Sequence, residues 1–288
     1  MPLTVAQGFD GLLRKIPASD AMNERSRKHR ESIKACLYRH YRVTNFLPAG
    51  SFGHGTNVPL FSDIDYFMVL DEDDWPRNSA LALREVGNVL ANRFPFTPVR
   101  VSSPVVLVPF GRTTPERFEI TPAYFDEESD DHEVFWIPDR QGGWMTSAPR
   151  AHNRYVNDVN QHLNGRVKPV IRLVKLWNGL ATVGLRSIYL ELKIAKRLRS
   201  VQGVTYRRQV RETFNDLLSN GLRAMRDPLG ITGLIEPCSE ARKDQALTRL
   251  ETALIRADKA LDAEESGKPH KAFEWWDKVF GGNFPAFR

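Results

Sequence analysis

Cysteine is nearly absent. The 288 residues contain two, Cys36 and Cys238, about 200 positions apart, with no C-x-x-C pair. This excludes a disulfide framework and a cysteine zinc site, and it favours a reducing compartment. No apolar run approaches the roughly 20 residues that cross a bilayer. The opening MPLTVAQGFDGLLRK lacks the basic start, apolar core and small-residue cleavage site of a secretory leader. A cytoplasmic chain without membrane contact is therefore expected. The G-x-x-x-x-G-K-[ST] pattern is missing too, which rules out the phosphate cradle of P-loop ATPases. The seven histidines form no metal-binding pair, and there is no repeat or low-complexity tract.

What is present is enough to fold. Hydrophobic residues at 41% and charged residues at 26% lie far from the composition of disordered chains, and the length points to about two domains. The charge is uneven: residues 1–150 carry a net −3 and residues 151–288 a net +9. Within 151–210 stand 12 basic residues against 2 acidic ones, a local potential that attracts phosphates. A solvated helical surface explains the same numbers equally well.

Apolar spacing predicts a helix around 9–16 and another over 21–41, then a short strand at 45–49 that feeds the Gly/Ser turn GSFGHGT. A strand follows at 63–70, a helix at 79–93, and strands at 99–101, 105–108 and 117–121. Residues 126–149 read as loop, with the acidic stretch DEESDDHE as a solvated surface loop and a partner-binding loop as the second reading. Beyond it helices are expected at 151–163, 169–178, 187–198, 212–225, 240–263 and 271–280. The division expected is 1–148 and 149–288.

The strongest chemical signal is Asp63 and Asp65 with only Ile64 between them. Side chains alternate along a strand, so both carboxylates share a face about 6.5–7 Å apart while Ile64 points to the core. Two carboxylates on one face suit a hard divalent cation; without one they repel, or hold a proton at raised pKa. Just upstream, Gly50, Gly53 and Gly55 let backbone N–H groups approach a polyphosphate, and the Ser51 hydroxyl adds a donor. His54 lies inside that turn, and its role stays open.

GSFGHGT followed by SDIDYFMVL resembles the nucleotidyltransferase signature of the DNA polymerase beta-like superfamily: GS, about ten residues, then D-x-D. More narrowly, the chain resembles the bacterial cyclic-oligonucleotide synthases (CD-NTases), relatives of cyclic GMP-AMP synthase and oligoadenylate synthase that make second messengers in anti-phage defence. RFEITPAYF is similar to their third-carboxylate strand, and WIPDRQGGWMTSAPRAH to their linker into the helical domain. KPVIRLVKLWN and LRSIYLE are similar to their nucleotide-binding helices, and FEWWDKVFGGNFP to their C-terminal end. The likeness runs over roughly residues 5–285.

The resemblance implies an α+β fold: a polymerase beta-like core, with a mixed sheet flanked by helices, plus a C-terminal helical domain of the oligoadenylate synthase type. It implies that Asp63, Asp65 and Glu119 hold two Mg²⁺ ions, with Mn²⁺ as the alternative, and that Glu119 stands near the attacking hydroxyl. Most relatives carry Asp at that third position, and Asp126 is a substitute ligand of lower standing. Gly50 and Ser51 are expected at the nucleotide phosphates, with Lys175 on the triphosphate and Ser187 after it; Arg172 and Arg186 rank below them. On the residues alone, Lys175 is a solvated helix position, Ser187 an N-cap, and Trp177 and Tyr189 core aromatics.

The expected activity joins nucleoside triphosphates into a cyclic di- or trinucleotide with release of pyrophosphate. An activating partner protein or nucleic acid is a further expectation. Two other readings remain: a nucleotidyltransferase acting on an RNA 3′ end or a small hydroxylated molecule, and a non-catalytic sensor that keeps the fold.

Overall fold

The computed structural model describes residues 3–288 other than 75, 77, 112–115 and 127–131, so most of the acidic stretch lies outside the described residues. The chain forms two compact units. One comprises 18–154 with 229–233; the other comprises 3–17, 155–228 and 234–288.

The first unit is built on a mixed sheet. Its strands are β1 (Val43–Pro48), β2 (Ile64–Leu70), β3 (Arg100–Ser102), β4 (Val105–Phe110), β5 (Glu116–Phe125), β6 (Phe135–Pro138) and β7 (Trp144–Ser147). They run in the order β1-β2-β5-β4-β3, with β6 paired to the end of β5 and β7 to β6. β2 and β5 are parallel and their neighbours antiparallel. Alternation splits β2 cleanly. Tyr66, Met68 and Leu70 join Ile33 and Leu37 of α2 (Asp20–His40) and Leu83, Val86 and Leu90 of α4 (Ser79–Arg93) in the main core. Phe67 and Val69 point to the other face, where Leu47, Ala123, Phe135 and Ile137 make a smaller apolar cluster. By the same period Asp65 shares the Phe67 face and Ile64 the core face, where it packs on the α2–α4 cluster.

Residues 132–149 are less loop-like than expected. β6 and β7 form a hairpin whose turn is organised by Asp139, which accepts hydrogen bonds from the N–H groups of Gln141 and Gly143, both at 2.7 Å. Gly142 at φ 89° supplies the left-handed residue such a turn needs.

The helical unit contains α1 (Val5–Lys15), most of α5 (Pro149–His162), α6 (Val167–Leu180), α7 (Ser187–Leu198), α8 (Tyr206–Ser219), a small β8–β9 pair (Met225–Arg226, Leu234–Ile235), α9 (Glu240–Glu265) and α10 (Pro269–Val279). Two boundaries correct the sequence expectation. α1 belongs here and not with the sheet: Phe9, fully buried, meets Trp276 of α10 edge-on at 4.8 Å and Phe284 at 5.1 Å. And the division falls inside α5, at 154/155 instead of 148/149. The helix expected at 212–225 lies at Tyr206–Ser219: Asn220 and Gly221 end it, and Arg207 and Arg211 pair with Glu264 and Asp258 of α9.

Candidate active site

β1 ends at Pro48, and the Ala49 N–H donates to the Asp65 carbonyl at 2.8 Å, which holds the following residues against β2. The expected Gly/Ser turn is a single helical turn, α3 (Gly50–His54), closed by Gly55 in the left-handed region at φ 66°. Gly50 enters it at φ 55°. A Cβ at Gly50 would lie 2.0 Å from Asp65 Oδ2, so only glycine leaves this carboxylate its place. Ser51 is buried in α3. The structure gives His54 an occupation: buried, its Nε2 lies 3.2 Å from the Pro149 carbonyl. With Asn153 Nδ2 donating to the Gly53 carbonyl at 3.4 Å, this ties α3 to the first turns of α5.

Asp65 stands opposite Glu119 in the β2–β5 register. Asp63 precedes β2, and its Oδ1 lies 3.0 Å from Arg117 Nε in an ion pair. Glu119 is in hydrogen-bond contact with both aspartates. Burial raises the Asp63 carboxyl above the ordinary range, an effect that Arg117 only partly offsets. Burial, and then the charge of Asp63, push Glu119 up to about 7. Asp63 and Glu119, carboxyl groups largely out of bulk water and close together, share too little positive charge, and a proton becomes easier to hold.

This is the donor chemistry of a hard-cation site, oxygen ligands with an excess of negative charge. As folded it is not a finished cage: among the described residues no group of three or more His, Cys, Asp or Glu is arranged to hold a metal ion. Arg117 occupies one of the oxygens such a site would use. The residues fit a divalent cation once that ion pair opens.

The residues of the helical unit expected at the phosphates differ in exposure. Lys175 is not solvated; it is 5% exposed and donates from Nζ to Glu191 Oε1 at 2.9 Å, the glutamate being 1% exposed. Ser187 is exposed in the first turn of α7, whose N-cap is Arg186. Arg172 is half-buried, burial lowers its pKa, and its Nε has no hydrogen-bond partner. Trp177 and Tyr189 are core residues: Trp177 packs on Phe214 at 4.6 Å, and the Tyr189 hydroxyl donates to the Arg223 carbonyl at 3.0 Å.

Two residues of these networks escaped the sequence reading. Arg117 stands two positions before Glu119, on the same strand face, so period two could have found it. Glu191 is an acid on the apolar face of α7, a pattern that signals a buried partner.

Residues 3–160 match the family model of the Second Messenger Oligonucleotide or Dinucleotide Synthetase domain. The chain belongs to this family. A probable cyclic nucleotide synthase of Bacillus cereus (strain VD146) is 28% identical over 174 residues, 59% of this chain and 52% of that protein. A cyclic AMP-AMP-AMP synthase of Acinetobacter sp. (strain ATCC 27244 / 9458) is 26% identical over 167 residues, 54% of this chain and 48% of that protein. The chain thus spans about half the length of these curated relatives in the matched region. The solved structure of CdnC from E. coli MS115-1 with ATP superposes with a TM-score of 0.75 over 99% of both chains at 18% identity, a likeness of fold. The synthetase-domain match contains Gly50, Ser51, Asp63, Asp65 and Glu119, and ends within α5. No helix among the described residues is long and apolar enough to cross a membrane.

Proposed function

We propose that this synthetase-domain protein is a metal-dependent nucleotidyltransferase that joins nucleoside triphosphates into a cyclic oligonucleotide, with pyrophosphate as the leaving group. The observation that carries the reading is the convergence of Asp63, Asp65 and Glu119 on one sheet face beside a glycine that admits no side chain. A 3′- or 2′-hydroxyl of one nucleotide attacks the α-phosphate of a second, and a further round closes the ring. Two divalent ions bound by the three carboxylates would supply charge neutralisation at the attacking and leaving oxygens. The chain's own part is positioning: β2 and β5 fix the acids, and α3 brings Ser51 to the phosphate side. Ser187, exposed in the first turn of α7, is the contact proposed for the helical unit. Lys175 is left out of the phosphate set because its charge is committed to Glu191.

The family's name and the Acinetobacter relative's name support a second-messenger product, and a setting in anti-phage signalling in the cytoplasm is part of the proposal. The test is incubation with all four α-labelled triphosphates and Mg²⁺ or Mn²⁺, with and without added DNA, RNA or cell extract, followed by phosphatase and mass spectrometry. A phosphatase-resistant cyclic product, absent from an Asp63→Asn/Asp65→Asn control, is expected. Linear extension of added RNA would favour the acceptor-specific reading. Nucleotide binding without product under every condition would favour a sensor.

A further inference from the structure

The carboxylate that would receive a cation already has one. Arg117 and Asp63 meet at 3.0 Å because of the sheet register: β2 and β5 pair Ile64 with Phe118 and Asp65 with Glu119, so one step earlier Asp63 comes beside Arg117. Residues two apart on a strand share a face, which puts Asp63, Asp65, Arg117 and Glu119 together as three acids and one base. The arginine side chain is 49% exposed and the Asp63 side chain 28%. An arm that open can leave without unpacking a core. A guanidinium does not lose its proton in a protein, so the contact yields only to displacement.

We propose that Arg117 is a resident counter-ion that competes with the divalent cation for Asp63, holding the acids together when the site is unloaded and weakening cation affinity. This rests on the reading of the three carboxylates as cation ligands. Arg117 is a positioning residue here: it acts on loading through Asp63. A plain strand-to-strand bridge would act in the opposite sense, since removing it would loosen Asp63 and weaken the site.

The experiment titrates Mn²⁺ into the nucleotide-free full chain by calorimetry, for the wild type, Arg117→Gln, Arg117→Lys and the Asp63→Asn/Asp65→Asn pair. Arg117→Gln should bind Mn²⁺ about threefold to tenfold more tightly, because it removes an exposed ion pair and a like charge. Arg117→Lys should stay within about twofold of the wild type. Equal or weaker binding by Arg117→Gln, with wild-type binding lost in the double asparagine variant, would overturn the Arg117 assignment and leave the carboxylate reading standing. Wild-type binding that survives the double asparagine change would overturn both. A measurement on the unaltered protein stands beside these: added Mg²⁺ should speed exchange of the Arg117 Nε–H proton with water about fivefold, and unchanged exchange would overturn the proposal.

Discussion

Asp65 and Glu119 are direct register partners on two parallel strands, and the Glu119 carboxyl bonds to Asp63 as well. A parallel pair in the middle of a sheet cannot shift by one residue without sending every side chain to the other face. The main core of Tyr66, Met68, Phe118 and Ile120 therefore fixes where the acids stand.

Removing either aspartate should abolish synthesis with the fold intact. Asp63→Asn or Asp65→Asn is expected to lower product formation by about 1000-fold or more, read by mass spectrometry, while the melting temperature holds or rises.

Gly50→Ala places a methyl 2.0 Å from where Asp65 Oδ2 now lies, at a backbone angle that alanine adopts at a cost. We expect a loss of about 1–3 kcal/mol in stability by denaturant unfolding and a larger fall in activity, because the only relief is to move Asp65.

Glu119 titrates near 7 in the folded chain, above its ordinary value of 4.5. Its protonated form favours the fold, so this contribution is fully present below about pH 4.5 and is lost as pH rises through about 7. Metal-free protein should thus melt lower at pH 8 than at pH 6. Glu119→Gln should flatten that dependence and raise the melting temperature at pH 8 by about 3 °C, measured in the presence of a chelator.

Lys175→Met should cost about 3–5 kcal/mol of stability, because Glu191 stays buried after its cation is gone. The double variant Lys175→Met/Glu191→Leu should recover most of that loss in denaturant melts. Large activity loss in a double variant that has regained stability would return Lys175 to the phosphate site.

The acidic face of Asp63 and Asp65 was legible because it is local. Period two along D-I-D puts two acids together, and the family resemblance supplied Glu119. What escaped is non-local. Nothing near Lys175 announces Glu191, which lies one helix further on; its place on the apolar face of α7 signals a buried partner, and only the packing of α6 on α7 shows which. Phe9 forms an ordinary amphipathic stripe in sequence, and only its ring contact with Trp276 assigns α1 to the helical unit. The β6–β7 hairpin was hidden by its shortness: four-residue strands around a Gly-Gly turn look like loop until Tyr124 and Phe125 of β5 offer an edge.

The place of α1 also has a consequence for how the molecule comes into being. Residues 3–17 are made before residues 18–154 of the sheet unit, whereas the helices they pack against, α8 and α10 among them, come after those residues. At about 5–20 residues per second that delay is about 15–60 s. Through it the apolar stripe of Phe9 and Leu12 has no partner, whereas the sheet unit has every one of its strands in hand by residue 147. Most of the sheet unit can begin to mature during synthesis; the nascent helical unit must hold α1 in waiting, and a chaperone that covers exposed amphipathic helices would meet it there.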